Sequence, residues 1–199
     1  MLEVRMRWLC VFCGSKAGGT PAYADAARRL GGLLAARGLG LVYGGGHIGL
    51  MGVLADAVLG AGGEVVGVIP QAMVERELAQ MNLTRLEVVD TMHQRKARMA
   101  DLADGFAALP GGFGTADELF EVLTWAQLGL HAKPVGLLNT AGFFDPLLAW
   151  LDHAVREDFL KPKHRRLLRV ADTPERLLEL LLSYRPEEPA AKWIDDADR

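Results

Sequence analysis

The sequence predicts an α/β fold, a Rossmann-like doubly wound parallel sheet with helices on both faces. Apolar segments of strand length alternate with segments of helical periodicity between residues 8 and 182. Two glycine-rich turns, Gly44–Gly49 and Gly111–Gly114, each follow a strand and precede a helix. No linker or internal repeat divides the chain, so residues 1–199 are predicted to form one domain with a core of about 8–182 and a C-terminal tail, 183–199.

The first half of the chain contains three predicted strands and two predicted helices. Thr20 is a suitable N-cap for a helix that begins at Pro21 and continues through alanines and leucines to Ala36. The other elements of this half are the strands Trp8–Cys13, Leu41–Tyr43 and Glu64–Ile69 and the helix Leu50–Leu59.

The second half continues the same alternation. Its predicted elements are strands Leu86–Val89, Gly105–Leu109 and Pro134–Leu138 and helices Met92–Leu102, Leu119–Leu130, Phe144–Arg156 and Pro174–Leu182. Open parallel sheets bind ligands at the carboxyl ends of their strands. Both glycine-rich turns and the Gly14-Ser15 turn fall at such ends, so they can converge on one crevice.

Composition excludes several classes of protein. The net charge of -3 and a pI near 6.0 give no indication of a nucleic-acid or membrane-surface partner. No apolar run approaches the roughly 20 residues of a membrane span, and the apolar stretch near the N-terminus is too short for a signal-peptide core. We therefore expect a cytoplasmic protein.

The two cysteines, Cys10 and Cys13, have the C-x-x-C spacing of redox and metal sites. They lie in a predicted strand, where residues three apart point to opposite faces, and no second ligand pair exists for zinc. Small buried side chains are therefore the favoured interpretation. A metal site is not expected, because none of the five histidines has metal-ligand spacing.

The glycine-rich turn Gly111–Gly114 is predicted to hold an anion. Glycines let backbone N–H groups approach an oxyanion closely, and the first turn of the following helix adds unpaired N–H groups and the positive end of its dipole. Glu118 lies near this turn, at the edge of the helix's apolar stripe, so it can face the crevice. A capping box of Thr115 and Glu118 would also explain these two residues, and capping does not exclude catalysis.

A second candidate feature is the helix that begins at Met92. Met92, Arg95, Lys96 and Met99 share one helical face, and the two methionines indicate that this face turns inward. Buried cations require anionic partners, so a phosphate or carboxylate bound by Arg95 and Lys96 is favoured over a solvated basic helix. Arg98 lies off this face and is predicted to be at the surface.

The spacing of Gly44, Gly46 and Gly49 matches the dinucleotide fingerprint G-x-G-x-x-G. That fingerprint requires an acidic residue at the end of the next strand, but that strand ends at Val68-Ile69 without a carboxylate. An NAD or FAD enzyme is therefore disfavoured, and tight packing or backbone approach to a ligand explains the glycines.

In combination these residues resemble the LONELY GUY family of cytokinin riboside 5′-monophosphate phosphoribohydrolases, long mislabelled as lysine decarboxylases. Pro110–Glu118 fits the signature P-G-G-x-G-T-x-x-E. Plant members usually carry Leu-Glu where this chain has Ala116-Asp117. The other matching segments are Cys13–Ser15, Gly44–Gly46, Gly49–Gly52, Arg76-Glu77, Met92–Lys96, Thr124–Gly129 and Lys133–Leu138.

The resemblance implies hydrolysis of the N-glycosidic bond of a purine nucleoside 5′-monophosphate to free base and ribose 5-phosphate. It implies Arg95 and Glu118 as the catalytic pair, no cofactor, and at least a homodimer. The alternative is a nucleotide carrier of the same fold without turnover. The implied substrate-binding residues are Glu77, Arg95, Lys96, Gly111, Gly112, Phe113, Gly114, Thr115, Ala116 and Asp117, with Ser15, Gly45 and Met92 as further candidates.

Overall fold

A computed structural model describes residues 6–76 and 78–186, and its centre is a sheet of seven parallel strands. The predicted α/β fold is confirmed. The strands lie in the order β4-β3-β2-β1-β5-β6-β7. Their bounds are β1 Trp8–Phe12, β2 Gly40–Tyr43, β3 Val65–Pro70, β4 Arg85–Val89, β5 Gly105–Ala108, β6 Val135–Leu138 and β7 Leu168–Ala171.

Helices cover both faces of the sheet. One apolar cluster joins α1, α2 and α8 to the sheet, and a second cluster on the opposite face joins α4, α5 and α6 to it. The helices are α1 Pro21–Ala36, α2 Gly49–Gly60, α3 Gln71–Val74, α4 Met92–Leu102, α5 Phe113–Gln127, α6 Asp145–Arg156, α7 Pro162–Arg165 and α8 Pro174–Leu182. None of the described helices has the length and hydropathy needed to cross a bilayer.

The central strand β1 shows how the sheet divides the core. Leu9 and Val11 pack on the α1–α2 side, whereas Cys10 and Phe12 pack on the α4–α5 side. Cys13, just beyond the strand, returns to the first side, so the prediction of opposite faces is confirmed. Both cysteines are free and buried, and burial raises the pKa of each thiol. They are packing residues with little thiolate character.

Helix α5 begins earlier than the sequence predicted. Its N-cap is Gly112, and no side chain caps it, so the predicted capping box of Thr115 and Glu118 is wrong. The glycine turn lets the backbone enter the helix directly after Gly112, which places Glu118 in the second helical turn. The helix also ends before Leu130, because Gly129 adopts a φ of 72°.

A real capping box lies at the start of α4 instead. The Thr91 hydroxyl accepts a hydrogen bond from the Gln94 N–H at 3.1 Å, and the Gln94 side chain accepts one from the Thr91 N–H at 3.1 Å. This box fixes where α4 begins. It therefore fixes which side chains of α4 point at the sheet.

The strand order reverses between β1 and β5, whose carboxyl ends lie side by side. β2, β3 and β4 extend from β1 in one direction, and β6 and β7 extend from β5 in the other. Such a reversal leaves an opening above the carboxyl ends of the two central strands, where open α/β sheets bind ligands. Two of the three turns that form the site follow these strands, and the third follows the neighbouring strand β2.

Candidate active site

Three turns converge at the strand-order reversal. The N–H of Gly14, after β1, donates to the carbonyl of Pro110, after β5, at 3.0 Å. The N–H of Leu50, in the first turn of α2 and directly after the turn that follows β2, donates to the Gly14 carbonyl at 3.0 Å. A Cβ at Gly49 would overlap the backbone of Ser15 and Lys16, so glycine is needed for this close approach. The predicted convergence is confirmed.

The glycine-rich turn Gly111–Gly114 lies beside this crevice and is largely exposed to solvent. Gly112, Phe113 and Gly114 are exposed, and Phe113 is 98% accessible. Beneath them Thr115 is buried and packs against Gly111. The N–H groups of the first turn of α5 have no partner within the helix, so the turn presents donors and a positive dipole end to the crevice. A Cβ at Gly112 or Gly114 would meet no atom within 4 Å, so the space beside these two residues is open.

Arg95 of α4 lies under the turn after β2, and its side chain is only 8% exposed. Its Nε donates to the Val68 carbonyl at 3.1 Å and its Nη2 to the Gly44 carbonyl at 3.2 Å. Its Nη1 donates to Oε1 of Glu118 at 3.1 Å. The predicted inward face of α4 is confirmed at Arg95 and at the buried Met99.

Glu118 of α5 has a side chain that is 10% exposed and is paired with Arg95. Burial raises the pKa of its carboxyl to about 7, and the attraction of Arg95 only partly offsets that effect. The nearby carboxylate of Asp117 acts in the same direction as burial. A carboxyl with this pKa changes its charge near neutral pH, which is a property suited to proton transfer.

Lys96 is held by two carboxylates of α5. Its Nζ lies 3.0 Å from Oδ2 of Asp117 and 3.1 Å from Oε1 of Glu121. Its side chain is 11% exposed, whereas that of Asp117 is 60% exposed. This network ties α4 to α5 directly beside the Arg95–Glu118 pair, so it fixes the spacing of the two helices.

The remaining predicted residues lie at the rim of the crevice or outside it. Ser15 is exposed in the turn after β1, Gly45 is buried with a φ of 73°, and Ala116 is half-buried. Met92 is 46% exposed, so the inward stripe does not include it, because it is the first residue of α4 and lies at the open edge of the sheet. Glu77 lies outside the described residues.

Outside the crevice, Arg98 is at the surface as predicted. Its Nε donates to the Glu87 carboxylate at 2.6 Å, and its side chain is 42% exposed. Within residues 6–76 and 78–186, no group of three or more His, Cys, Asp or Glu side chains is arranged to hold a metal ion.

Sequence reasoning missed the backbone acceptors of Arg95. The carbonyls of Gly44 and Val68 carry no signal in residue type, because every residue has a carbonyl. Gly44 itself had a signal, the glycine spacing, but its purpose differs from the predicted one. A Cβ at Gly44 would overlap Nη2 of Arg95, so this glycine makes room for the guanidinium.

Comparison with known proteins identifies the family. A probable cytokinin riboside 5′-monophosphate phosphoribohydrolase of Oryza sativa subsp. japonica is 48% identical over 97% of this chain and 79% of its own length. A cytokinin riboside 5′-monophosphate phosphoribohydrolase of Arabidopsis thaliana is 48% identical over 98% of this chain and 91% of its own. The chain belongs to this phosphoribohydrolase family. Residues 51–181 also match a family profile described as "Possible lysine decarboxylase".

Solved structures support the fold. The molybdenum cofactor binding protein from Rippkaea orientalis has a TM-score of 0.69 at 24% identity, over 90% of this chain and 98% of that one. The molybdenum cofactor carrier protein from Chlamydomonas reinhardtii has a TM-score of 0.68 at 23% identity, over 90% and 100%. At these identities the likeness shows a shared Rossmann-like architecture.

Proposed function

We propose that this chain hydrolyses the N-glycosidic bond of adenosine 5′-monophosphate and its N6-substituted derivatives, giving free purine base and ribose 5-phosphate. The observation that carries the proposal is the buried Arg95–Glu118 pair beside an exposed glycine-rich helix start. The names of the phosphoribohydrolase relatives state that their substrates are cytokinin riboside 5′-monophosphates, which are nucleotides of this kind. The chain is thus assigned as an enzyme, a nucleoside 5′-monophosphate phosphoribohydrolase.

In this proposal the 5′-phosphate binds at the turn Gly111–Gly114. The exposed N–H groups at the start of α5 donate to its oxygens, and the helix dipole favours its charge. The rest of the proposed binding set consists of Glu77, Lys96, Thr115, Ala116 and Asp117, with Ser15, Gly45 and Met92 as further candidates.

Glu118 is the proposed catalytic carboxylate. Departure of the base builds positive charge on the ribose, as in other glycosidic cleavages, and a buried carboxylate stabilises that charge more strongly than one in water. The same carboxylate is suited to activating the attacking water. Arg95 orients Glu118 and the substrate, and its three hydrogen bonds hold its own guanidinium rigidly.

The raised pKa of Glu118 predicts the pH dependence of the reaction. Because the carboxylate form is active in this mechanism, kcat/KM should rise with pH, with a midpoint near 7, and level off above it. The expected measurement is kcat/KM for AMP between pH 5 and pH 9. A fall above pH 7 would contradict the carboxylate role, since it would indicate an active protonated form.

The substrate's phosphate needs a control in that measurement, since phosphate monoesters titrate at about pH 6. The residual activity of Glu118→Gln separates the two groups. It should retain any change caused by the phosphate and lose the change near pH 7.

Lys96, which lies beside the Arg95–Glu118 pair, does not have the properties that a lysine decarboxylase would need. A lysine that forms a Schiff base with pyridoxal phosphate must lose its proton readily. Burial works against the charge of Lys96, but its hydrogen bonds with Asp117 and Glu121 outweigh burial and raise its pKa. An absorbance spectrum of the purified protein showing cofactor bands would overturn this view.

Comparison of AMP with adenosine tests the phosphate-binding part of the proposal. We expect release of adenine from AMP and at least a 100-fold lower kcat/KM for adenosine, about 2.7 kcal/mol of lost binding energy, because the nucleoside cannot use the turn Gly111–Gly114. Chromatography of the free base measures both rates. Equal kcat/KM values would show that the turn does not bind the phosphate.

We also propose at least a homodimer, as the resemblance implies, and a cytoplasmic location. Light scattering coupled to gel filtration measures the mass in solution. The expected value is about twice the 21.6 kDa of the chain, or a higher multiple of it. A mass equal to that of one chain would contradict the dimer.

A further inference from the structure

The segment 78–82, which we call the strap, runs across the turn that follows β2. The N–H of His47 donates to the Leu78 carbonyl at 3.1 Å, and the N–H of Gln80 donates to the Gly45 carbonyl at 2.8 Å. Between them Gly46 and Ala79 form an antiparallel bridge. The strap therefore pins the backbone of residues 45–47 by direct hydrogen bonds.

The side chain of Gln80 anchors the strap to helix α2. Gln80 is 7% exposed, whereas the next residue, Met81, is 77% exposed. The Nε2 of Gln80 donates to Oδ1 of Asp56 at 2.7 Å and to Oδ1 of Asn82 at 2.9 Å. Both hydrogens of the buried amide are thus used, and the bond to the Asp56 carboxylate is charge-assisted.

The turn that the strap pins also holds Arg95. Gly44, directly before the pinned residues, accepts from Nη2 of Arg95 at 3.2 Å, and a Cβ at Gly44 would overlap that atom. A small shift of the turn must therefore move the guanidinium. The same guanidinium contacts Glu118 through Nη1 at 3.1 Å. Asp56 is thus connected to the catalytic pair by the hydrogen bonds of Gln80, the backbone between Gly45 and Gly44, and the hydrogen bonds of Arg95.

From these contacts we infer that Gln80 is a positioning residue for Arg95, acting through the turn after β2, a role that rests on the proposed hydrolysis. Gln80 touches neither Arg95 nor Glu118 in the hydrogen bonds of the site. Gln80 holds the Gly44 carbonyl in the position where it accepts the hydrogen bond from Nη2 of Arg95. A misplacement of about 1 Å at a reacting group costs on the order of 100-fold in rate.

Gln80→Met tests the inference, because methionine preserves the size and apolar stem of glutamine and removes the amide. We expect kcat to fall by about 10- to 100-fold, with a smaller change in KM for AMP. We also expect the midpoint of the pH profile to rise, since a displaced Arg95 stabilises the Glu118 carboxylate less. The charged and titratable groups around Glu118 are unchanged in this variant: Arg95, Lys96, Asp117, Glu121, Cys10 and Cys13.

Asn139→Leu is the matched control. Asn139 is also 7% exposed, and its amide also bridges a carboxylate and a neighbouring group, with Nδ2 2.8 Å from Oδ1 of Asp145 and Oδ1 2.8 Å from the Phe144 N–H. It lies after β6, outside the hydrogen bonds that hold Arg95. This variant should lose stability like Gln80→Met and keep the wild-type pH midpoint. Equal midpoints in both variants would overturn the inference.

Two further measurements test the role of Gln80 if Gln80→Met does not fold or if the wild-type protein is inactive. If Gln80→Met does not fold, Asp56→Asn weakens the same anchor more gently and should shift the midpoint in the same direction. If the wild-type protein releases no base, the proposed hydrolysis fails. A ¹³C NMR titration of Glu118, assigned with Glu118→Gln, then still shows whether the Gln80 anchor controls the Arg95–Glu118 contact. An unchanged Glu118 titration would refute the inference independently of activity.

Discussion

Glu118→Gln is expected to lower kcat by about 1,000-fold, in the range for loss of a positioned acid–base group. Glutamine preserves the size of the side chain and its contact with Arg95, but it carries no charge to stabilise the ribose and cannot accept a proton. The dissociation constant of AMP should change little, because the proposed phosphate contacts come from the turn Gly111–Gly114. Steady-state kinetics and calorimetric titration with AMP measure the two effects.

Glu87→Gln supplies the control for that substitution. Glu87 of β4 is also a carboxylate paired with an arginine at 2.6 Å, but its partner, Arg98, lies off the inward face of α4. Glu87→Gln should leave kcat within about twofold of wild type, because this ion pair is outside the site and exposed ion pairs contribute little to stability. Near-normal turnover in Glu118→Gln, or an equal loss in both variants, would refute the assignment.

Gly44→Ala is expected to reduce kcat/KM by at least 100-fold through a single added methyl group. The new Cβ would overlap Nη2 of Arg95 and lie 2.9 Å from its Cζ, so the guanidinium must leave its position. Gly44 does not have a positive φ, so the backbone tolerates alanine and the effect comes from the displaced side chain. Kinetics with AMP, together with thermal unfolding, measure the loss.

Gly60→Ala is the comparison for this change. Gly60 ends α2, and a Cβ there meets no atom within 4 Å. Alanine at that position should leave activity unchanged and add up to about 1 kcal/mol of stability, because it restricts the unfolded chain and favours the helix. If Gly44→Ala keeps wild-type kcat/KM, the position of Arg95 does not control the reaction.

The parts of the site that periodicity determines could be predicted from the sequence. Arg95 and Met99 are four residues apart on α4, and their shared face indicated an inward-pointing cation that the structure confirms. The alternation along β1 likewise placed Cys10 and Cys13 on opposite sides of the sheet. Side-chain direction within one regular element follows from its period alone.

The parts that depend on contacts between distant segments could not be predicted. Gln80 lies in an irregular stretch, and its partner Asp56 is 24 residues away. Thr115 and Glu118 fit a capping pattern, but the glycine turn starts the helix before them, so the local signal predicted the wrong helix start. Strand β7 is four residues long and carries Arg169 within it, which leaves too little apolar pattern to recognise.

Product analysis with isopentenyladenosine 5′-monophosphate tests the central claim most directly. Purified protein is incubated with the nucleotide, and free base and ribose 5-phosphate are followed together by chromatography, with Glu118→Gln in parallel. The account predicts that the two products appear in equal amounts and that their formation requires Glu118. Recovery of intact nucleotide that is nevertheless bound by the protein would contradict it and indicate a nucleotide carrier instead.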